Sequence, residues 1–281
     1  MQTKTPRRGT IRLTRRGRIA LIATGTVAAV TAVAVPLLLP DDDAGPESLT
    51  IPEGWRTSQV YEAVDKALDV PAGTTKKSLP KAHLKLPGDA RGNPEGYLFP
   101  ATYPIDEKST PASVLSYMVN TAAKKFGGSQ VTAGADRNTM NVYQTVTIAS
   151  MIEAEAGSKA DMGKVARVIH NRLEQGMPLQ MDSTINYALN RSTLKTRDSD
   201  TKINSPYNTY TRMGLPPTPI GNPGEEALRA AINPTPGNWL YFVTVKPGDT
   251  RFTANFEEQQ KNVAEFNKNQ SEKKGEAKQA G

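Results

Sequence analysis

The chain has 281 residues with 35 Lys and Arg against 28 Asp and Glu, no cysteine and two histidines. That length can bury one proper core with appendages, while the missing cysteines exclude a disulfide framework, a thiol nucleophile and a Cys-based zinc site. The formal charge of +7 sits in the first 18 residues, which hold seven basic residues and no acid. The rest balances at 28 against 28, so a basic nucleic-acid face is not indicated.

After the basic tail (1–18), Ile19 to Leu39 is 21 residues without a charge, ending at Pro40 and Asp41-Asp42-Asp43. Such a run spans a hydrocarbon core of about 30 Å as a helix. The Lys/Arg excess places its N-terminal side in the cytoplasm and the remainder outside. The expectation is a single-pass anchor over 19–40 in the cell membrane, with an extracytoplasmic body. Ala32-Val33-Ala34 resembles a signal-peptidase site, the competing reading, but the apolar run continues past it to Leu39. Thr14-Arg15-Arg16 has only a partial likeness to a twin-arginine signal.

Residues 41–48 read as a polar linker, and 49–110 as a small α+β subdomain. Leu49-Thr50-Ile51 before Pro52-Glu53-Gly54 predicts a strand and turn. Thr57 is placed to cap a helix carrying Val60, Val64, Ala67 and Leu68. Residues 71–96, rich in Pro, Gly and Lys, predict a long loop with one short helix. Gly96 to Tyr103 is apolar and aromatic, a buried loop or short strand.

The second domain is placed at 111–267. Pro111 to Lys125 is an amphipathic helix, and a Gly/Ser patch leads to a long helix from about Asn138 to Ala156. Gly157 can end that helix and Ser158 can cap the next, which runs to Gly176. Together 139–175 form a helical hairpin. Residues 190–223, with five prolines, predict a long irregular loop of the kind that often carries function. A helix over 224–232, strands at 239–245 and 251–254 around a turn, and a last helix from about Phe256 follow. Residues 268–281 are compositionally disordered. The fold class is α+β: a helical hairpin packed with small antiparallel sheets, behind a transmembrane helix.

The chemistry concentrates in Ile148-Ala149-Ser150-Met151-Ile152-Glu153-Ala154-Glu155-Ala156-Gly157. Two carboxylates at the end of an apolar helix meet the negative end of its macrodipole. That field and apolar neighbours raise a carboxyl pKa, as a general acid for glycosidic cleavage requires. Glu153 and Glu155 point about 200° apart on a helix, so they cannot act as an adjacent dyad. Both border the apolar stripe, so periodicity does not choose between them. A helix glutamate taken alone is more often a solvated surface residue.

The segment resembles the ASxxExE core of the YceG-like endolytic murein transglycosylases. The resemblance continues through Val165–Leu173, Gly176–Thr184, Tyr207-Asn208-Thr209-Tyr210, Gly214–Pro217 with Ile220 and Pro223, and Leu240–Val243 with Phe252 and Asn255. Gly96–Pro100 resembles the family's EGxxFPDT segment, with Ala101-Thr102 in place of Asp-Thr. In that family the second glutamate of the ExE pair is catalytic, which maps onto Glu155. The implied reaction is non-hydrolytic cleavage of the MurNAc–GlcNAc β-1,4 bond of peptidoglycan, closing a 1,6-anhydro ring and ending the nascent strand. The resemblance makes Gln180, Asp182, Tyr207, Asn208 and Tyr210 candidate glycan-binding residues, and Glu153 a residue that orders the cleft. It implies no metal and no cofactor.

Family members often carry a LysM-like module upstream of the segment corresponding to Leu49–Gly54. Only about nine residues separate Pro40 from Leu49 here, so the expectation is that this module is absent or reduced. Peptidoglycan synthases of the elongation or division machinery are then the implied partners. Two rivals stand beside this reading. One is a lysozyme-type hydrolase with Glu155 as acid and Asp182 as second carboxylate. The other is a membrane-anchored, wall-binding scaffold without catalysis.

Overall fold

Strand β1 (Glu47–Thr50) pairs antiparallel with β2 (Thr102–Ile105), Leu49 opposite Tyr103, so the chain closes its first layer across some fifty residues. The structure is a computed structural model that describes residues 47–191 and 197–279. The run expected as an anchor, 19–40, lies outside the described residues. Among the described residues no helix is long and apolar enough to cross a membrane. Their architecture is α+β, nine α-helices and two small antiparallel sheets.

Against β1 and β2 pack α1 (Thr57–Ala67), α2 (Thr74–Ala82) and α3 (Pro111–Phe126). Leu49, Ile51, Val60, Val64, Leu98, Tyr103, Leu115 and Met118 form one apolar cluster. Thr57 is not the cap of α1 but its first helical residue. Arg56 takes the cap position, and its N–H donates to Gln59 Oε1 at 3.0 Å. Buried Asp65 ties α1 to α2, accepting from Gly73 N (2.6 Å), Thr75 N (2.7 Å) and Thr75 Oγ1 (2.6 Å). Helix α3 serves two cores: Val114 to Val119 join the first cluster, while Ala122 and Phe126 join the second. The boundary expected at 110/111 falls just before a helix whose side chains pack into both clusters.

The long helix expected from about Asn138 to Ala156 is present but starts four residues later, and a separate helix not expected from the sequence precedes it. Helix α4 (Ser129–Arg137) ends at Asn138, Thr139 turns left-handed with φ +56°, and α5 (Val142–Glu155) begins afresh. Asn141 supplies the reason. Its Oδ1 accepts from Gln144 N (2.8 Å) while Gln144 Oε1 accepts from Asn141 N (2.9 Å), a reciprocal cap that fixes the start. Gly134 of α4 lies so close to Ile232 that a Cβ there would stand 2.6 Å from the isoleucine's Cβ.

Helix α5 is the centre of the second cluster, with Thr145 to Ile152 all buried. Helix α6 (Lys159–Glu174) follows the short turn at 156–158, and its Val165, Ala166 and Ile169 join the same cluster as α5, giving the expected pair of packed helices. Around it stand α7 (Asp182–Ala188) and α8 (Glu225–Ile232), with β3 (Tyr241–Lys246) paired to β4 (Asp249–Thr253). His170 is structural: buried in α6, its Nε2 meets Ala231 O at 3.0 Å. The final helix α9 (Phe256–Gln279) continues through residues whose composition reads as disordered. Lys, Glu, Gln and Ala are good helix formers, and Lys268 and Glu272 stand 4.0 Å apart at i,i+4.

Burial pushes the Asp65 carboxyl up, but the donors from Thr75 and Gly73 together outweigh it and hold the carboxyl below its ordinary value. Its stabilisation is therefore present above the unfolded value of about 3.9 and lost as pH falls through the lower folded one. Asp65→Ala is expected to cost about 2–4 kcal/mol at pH 7 in urea unfolding. That penalty should shrink below about pH 4; an unchanged penalty in acid would contradict this role.

Candidate active site

A cleft of about 850 Å³ opens where the two clusters meet. One wall is the turn Glu53–Arg56 with Gln59. The floor is the end of α5, the segment Leu179–Met181 and the start of α7. The far wall is Tyr241–Thr244 of β3 with Phe256, Gln259, Val263 and Phe266 of α9.

Glu155 is the last residue of α5, half-buried, with its carboxyl in this cleft. Its Oε1 accepts from Ser183 N at 3.0 Å. Burial holds the Glu155 carboxyl above the ordinary range. Hydrogen bonding from Ser183 opposes the rise, and the charge of Asp182 adds to it.

Asp182 and Tyr210 stand beside it in the cleft, the Tyr210 hydroxyl donating to Asp182 Oδ1 at 2.5 Å. Burial and the Asp182 carboxylate push the Tyr210 phenol up, so it stays a donor. Gln180 also lines the cleft, in the left-handed conformation at φ +54°. The segment carrying these groups is stapled by Thr209. Its carbonyl accepts from Gln180 N (3.0 Å), and its hydroxyl accepts from Met181 N (3.0 Å) and meets Thr184 Oγ1 (2.9 Å).

The other three candidate residues lie outside the cleft wall. Glu153 points away from Glu155, its Oε2 accepting from Gly224 N (3.0 Å) at the start of α8. Burial and the nearby Glu53 raise its carboxyl. Tyr207 packs on Tyr187 with ring centroids 4.9 Å apart and shares a hydrogen bond with Thr218 (2.9 Å). Asn208 is wholly buried. It donates to Thr201 O and Ile203 O and accepts from Tyr210 N, so it shapes the loop that delivers Tyr210.

Several cleft residues escape a reading by sequence. Trp55 and Arg56 come from the turn between β1 and α1, roughly a hundred positions from Glu155 in the chain. Arg56 Nη2 donates to Arg191 O (2.7 Å), and its guanidinium lies 5.1 Å from the Tyr187 ring. Glu95, buried, accepts from Thr57 N and from the Tyr187 hydroxyl, both at 3.0 Å, and locks this wall to α7. Arg172 and Asn186 are helix polar residues that periodicity gives no reason to separate from solvated ones. Asp182 at the start of α7 is a short-range signal for that helix, an acid in a first turn. Among the described residues no group of three His, Asp or Glu comes together as a metal site.

The sequence model of the YceG-like family matches residues 23–265. The endolytic murein transglycosylase of Bacillus subtilis is 38% identical over 181 residues, covering 64% of this chain and 49% of that protein. The endolytic murein transglycosylase of Streptococcus pneumoniae (strain D39) is 34% identical over 249 residues, covering 78% and 44%. The chain thus spans about half the length of these relatives. The 2.6 Å crystal structure of a YceG-like protein from Listeria monocytogenes superposes with a TM-score of 0.68. It is 29% identical and covers 77% of this chain and 75% of that one.

A raised carboxyl has a stability consequence. The folded-state value of Glu155 exceeds the unfolded one, so its contribution is full below about pH 4.3 and lost as pH rises through the folded value. Glu155→Gln removes that loss, and Gln Oε1 still accepts from Ser183. The variant is expected to be more stable than the parent by about 0.5–2 kcal/mol at pH 8, with the gain fading towards pH 4. Thermal melts at both pH values check this; equal stability at pH 8 would contradict the desolvated carboxyl.

Proposed function

The chain belongs to the YceG-like family, and on that premise we propose that it is a membrane-anchored lytic transglycosylase acting within peptidoglycan strands. The carrying observation is one carboxyl, Glu155, facing a cleft and raised by burial above its ordinary value, while its neighbour Asp182 is engaged by Tyr210. The names of the curated relatives support the reaction class.

In the proposed reaction the Glu155 carboxyl gives its proton to the glycosidic oxygen between MurNAc C1 and GlcNAc O4. That bond breaks with positive charge developing at C1, and GlcNAc leaves with a free 4-hydroxyl. The MurNAc O6 hydroxyl attacks C1 and its proton returns to Glu155, regenerating the acid. A C1–O6 bond replaces the glycosidic bond and no water is consumed. One carboxyl serves both steps because the nucleophile is intramolecular, unlike the two-carboxylate hydrolases. Asp182, negative beside Glu155, keeps the acid protonated before transfer and stabilises the cationic C1 after it.

The uncharged run 19–39 behind seven basic residues supports an anchor with the cleft outside the cytoplasm. The linker over 41–48 is short, which suits action on nascent strands beside a membrane-bound synthase. Glu153 contributes to the architecture of the cleft rather than to proton transfer.

Mass spectrometry of uncrosslinked strands treated with the full chain in detergent tests the proposal. The parent should leave 1,6-anhydro ends, and Glu155→Gln should reduce their rate by about 10²–10⁴-fold. Reducing ends without anhydro sugar would make the protein a hydrolase; binding without cleavage by either form would make it a scaffold. Asp182→Asn removes a negative charge beside the acid. It is therefore expected to move the alkaline limb of the pH–rate profile to lower pH, and an unmoved limb would take Asp182 out of the mechanism.

A further inference from the structure

Among the described residues four large apolar side chains are exposed, and two of them, Phe256 (58%) and Val263 (38%), line the cleft that holds Glu155. Both belong to one stripe of α9. Phe256, Gln259, Val263 and Phe266 recur at helical spacing, and all four line the cleft. From Phe256 to Phe266 the stripe runs about 15 Å. Large apolar side chains left open in a concave site mark a surface that a ligand covers.

The stripe is held in place by the sheet beside it. Gln259 Nε2 donates to Phe242 O (3.1 Å) and Asn269 Nδ2 to Val245 O (2.9 Å), which ties α9 to β3. Arg251 of β4 grips Glu265 of α9 with two donors, Nη1 at 2.7 Å and Nη2 at 2.9 Å. The Phe256 ring stands 5.7 Å from the Tyr241 ring, tilted by 53°. Tyr241 in turn lies 5.2 Å from the Arg172 guanidinium, which donates to the carbonyls of Leu240, Pro178 and Leu179. The ring bordering Phe256 therefore has a fixed place, while Phe256 keeps more than half of its surface free.

We propose that Phe256, backed by Tyr241, is a stacking subsite for a pyranose ring of the glycan strand, and that Val263 and Phe266 continue it along α9. The proposal rests on the glycan reading of the cleft and deepens it. The make-up of the cleft favours a sugar over an apolar helix or a second copy of the chain, because Gln180, Asp182 and Asn267 share the space with these rings. A β-linked pyranose matches that mixture. Its axial C–H groups offer an apolar face to an aromatic ring, and its equatorial substituents reach polar groups at the rim. An apolar helix would cover the same polar groups and leave them unpaired. Every sugar ring of the strand has such a face whether or not it carries a stem peptide, so the subsite accepts nascent strands. Stacking is made equally in the ground state and the transition state, so it acts on KM rather than on kcat.

The test uses the full chain in detergent and a peptide-bearing GlcNAc–MurNAc octasaccharide. Binding is read by calorimetry in the Glu155→Gln form, and cleavage kinetics with Glu155 intact. Phe256→Ala is expected to weaken binding about tenfold and to raise KM by a similar factor, with kcat moving less than about twofold. Phe256→Tyr keeps a ring face and should stay within about twofold of the parent, whereas Phe256→Leu keeps only apolar bulk and should behave as the alanine variant. A melting temperature within about 2 °C of the parent's separates this loss from a structural one. If Phe256→Ala does not fold, the leucine variant decides. Unchanged binding by Phe256→Ala or Phe256→Leu, or a loss confined to kcat, would overturn the inference and leave Glu155 in place. A dimer of the parent that Phe256→Ala dissolves would assign the patch to a second copy and overturn it as well. No binding by the Glu155→Gln form together with no anhydro product from the parent would remove the glycan reading, and the inference with it.

Discussion

Helix α5 is enclosed by protein along most of its length, and its few polar side chains place the segments around it. Ser150 Oγ accepts from Ile220 N at 3.0 Å, and Glu153, one turn on, accepts from Gly224 N at the same distance. Between those two points Asn222, wholly buried, accepts from Leu98 N (2.8 Å) and donates to Trp55 O (2.8 Å). An irregular, proline-rich stretch is thereby pinned to a rigid helix at intervals of a few residues. Buried backbone groups need partners, and here side chains supply them where no ladder can. The same stretch then fixes the Gly54–Trp55 turn, because Gly54 N donates to Asn222 O at 2.8 Å.

The ExE pair divides structure from chemistry along one helix. Glu153 belongs to the face that grips the α8 side, in quarters so tight that a Cβ on Gly224 would collide with the Glu53 carboxyl. Glu155, rotated about 200° away, is left for the cleft. Both carboxyls are raised by burial, yet only one faces a space that a substrate can enter. Perturbed titration alone would not have told them apart; direction did.

The cleft is costly to the fold. It desolvates Glu155 and, among the described residues, leaves Arg172 without a counter-ion of its own. Those charges are tolerated because backbone groups surround them: Ser183 N–H at the acid, and the carbonyls of Pro178, Leu179 and Leu240 at the cation. A site arranged this way is preorganised for charge that appears only when substrate binds or reacts, the usual reason for an unfavourable ground state in a catalytic cleft.

The amino-acid sequence by itself determined the helical hairpin, the α+β class and the end-of-helix position of Glu155. Each is a local matter of apolar spacing, caps and turn residues, as at Gly157, Ser158 and Gly176. It missed α4. The nine residues of α4 carry a single large apolar side chain, Val131, with small Ala135 and Gly134, and it is contact with Ile232 that gives Gly134 its place. It could not separate Glu153 from Glu155, because a helix buried nearly all round has no polar face to serve as reference. Which side of α5 meets the cleft, and that Trp55, Arg56, Arg172 and Asn186 line it while Tyr207 and Asn208 support it, was decided only by tertiary packing. These positions are brought together across more than a hundred residues of chain, and no short-range periodicity carries that information.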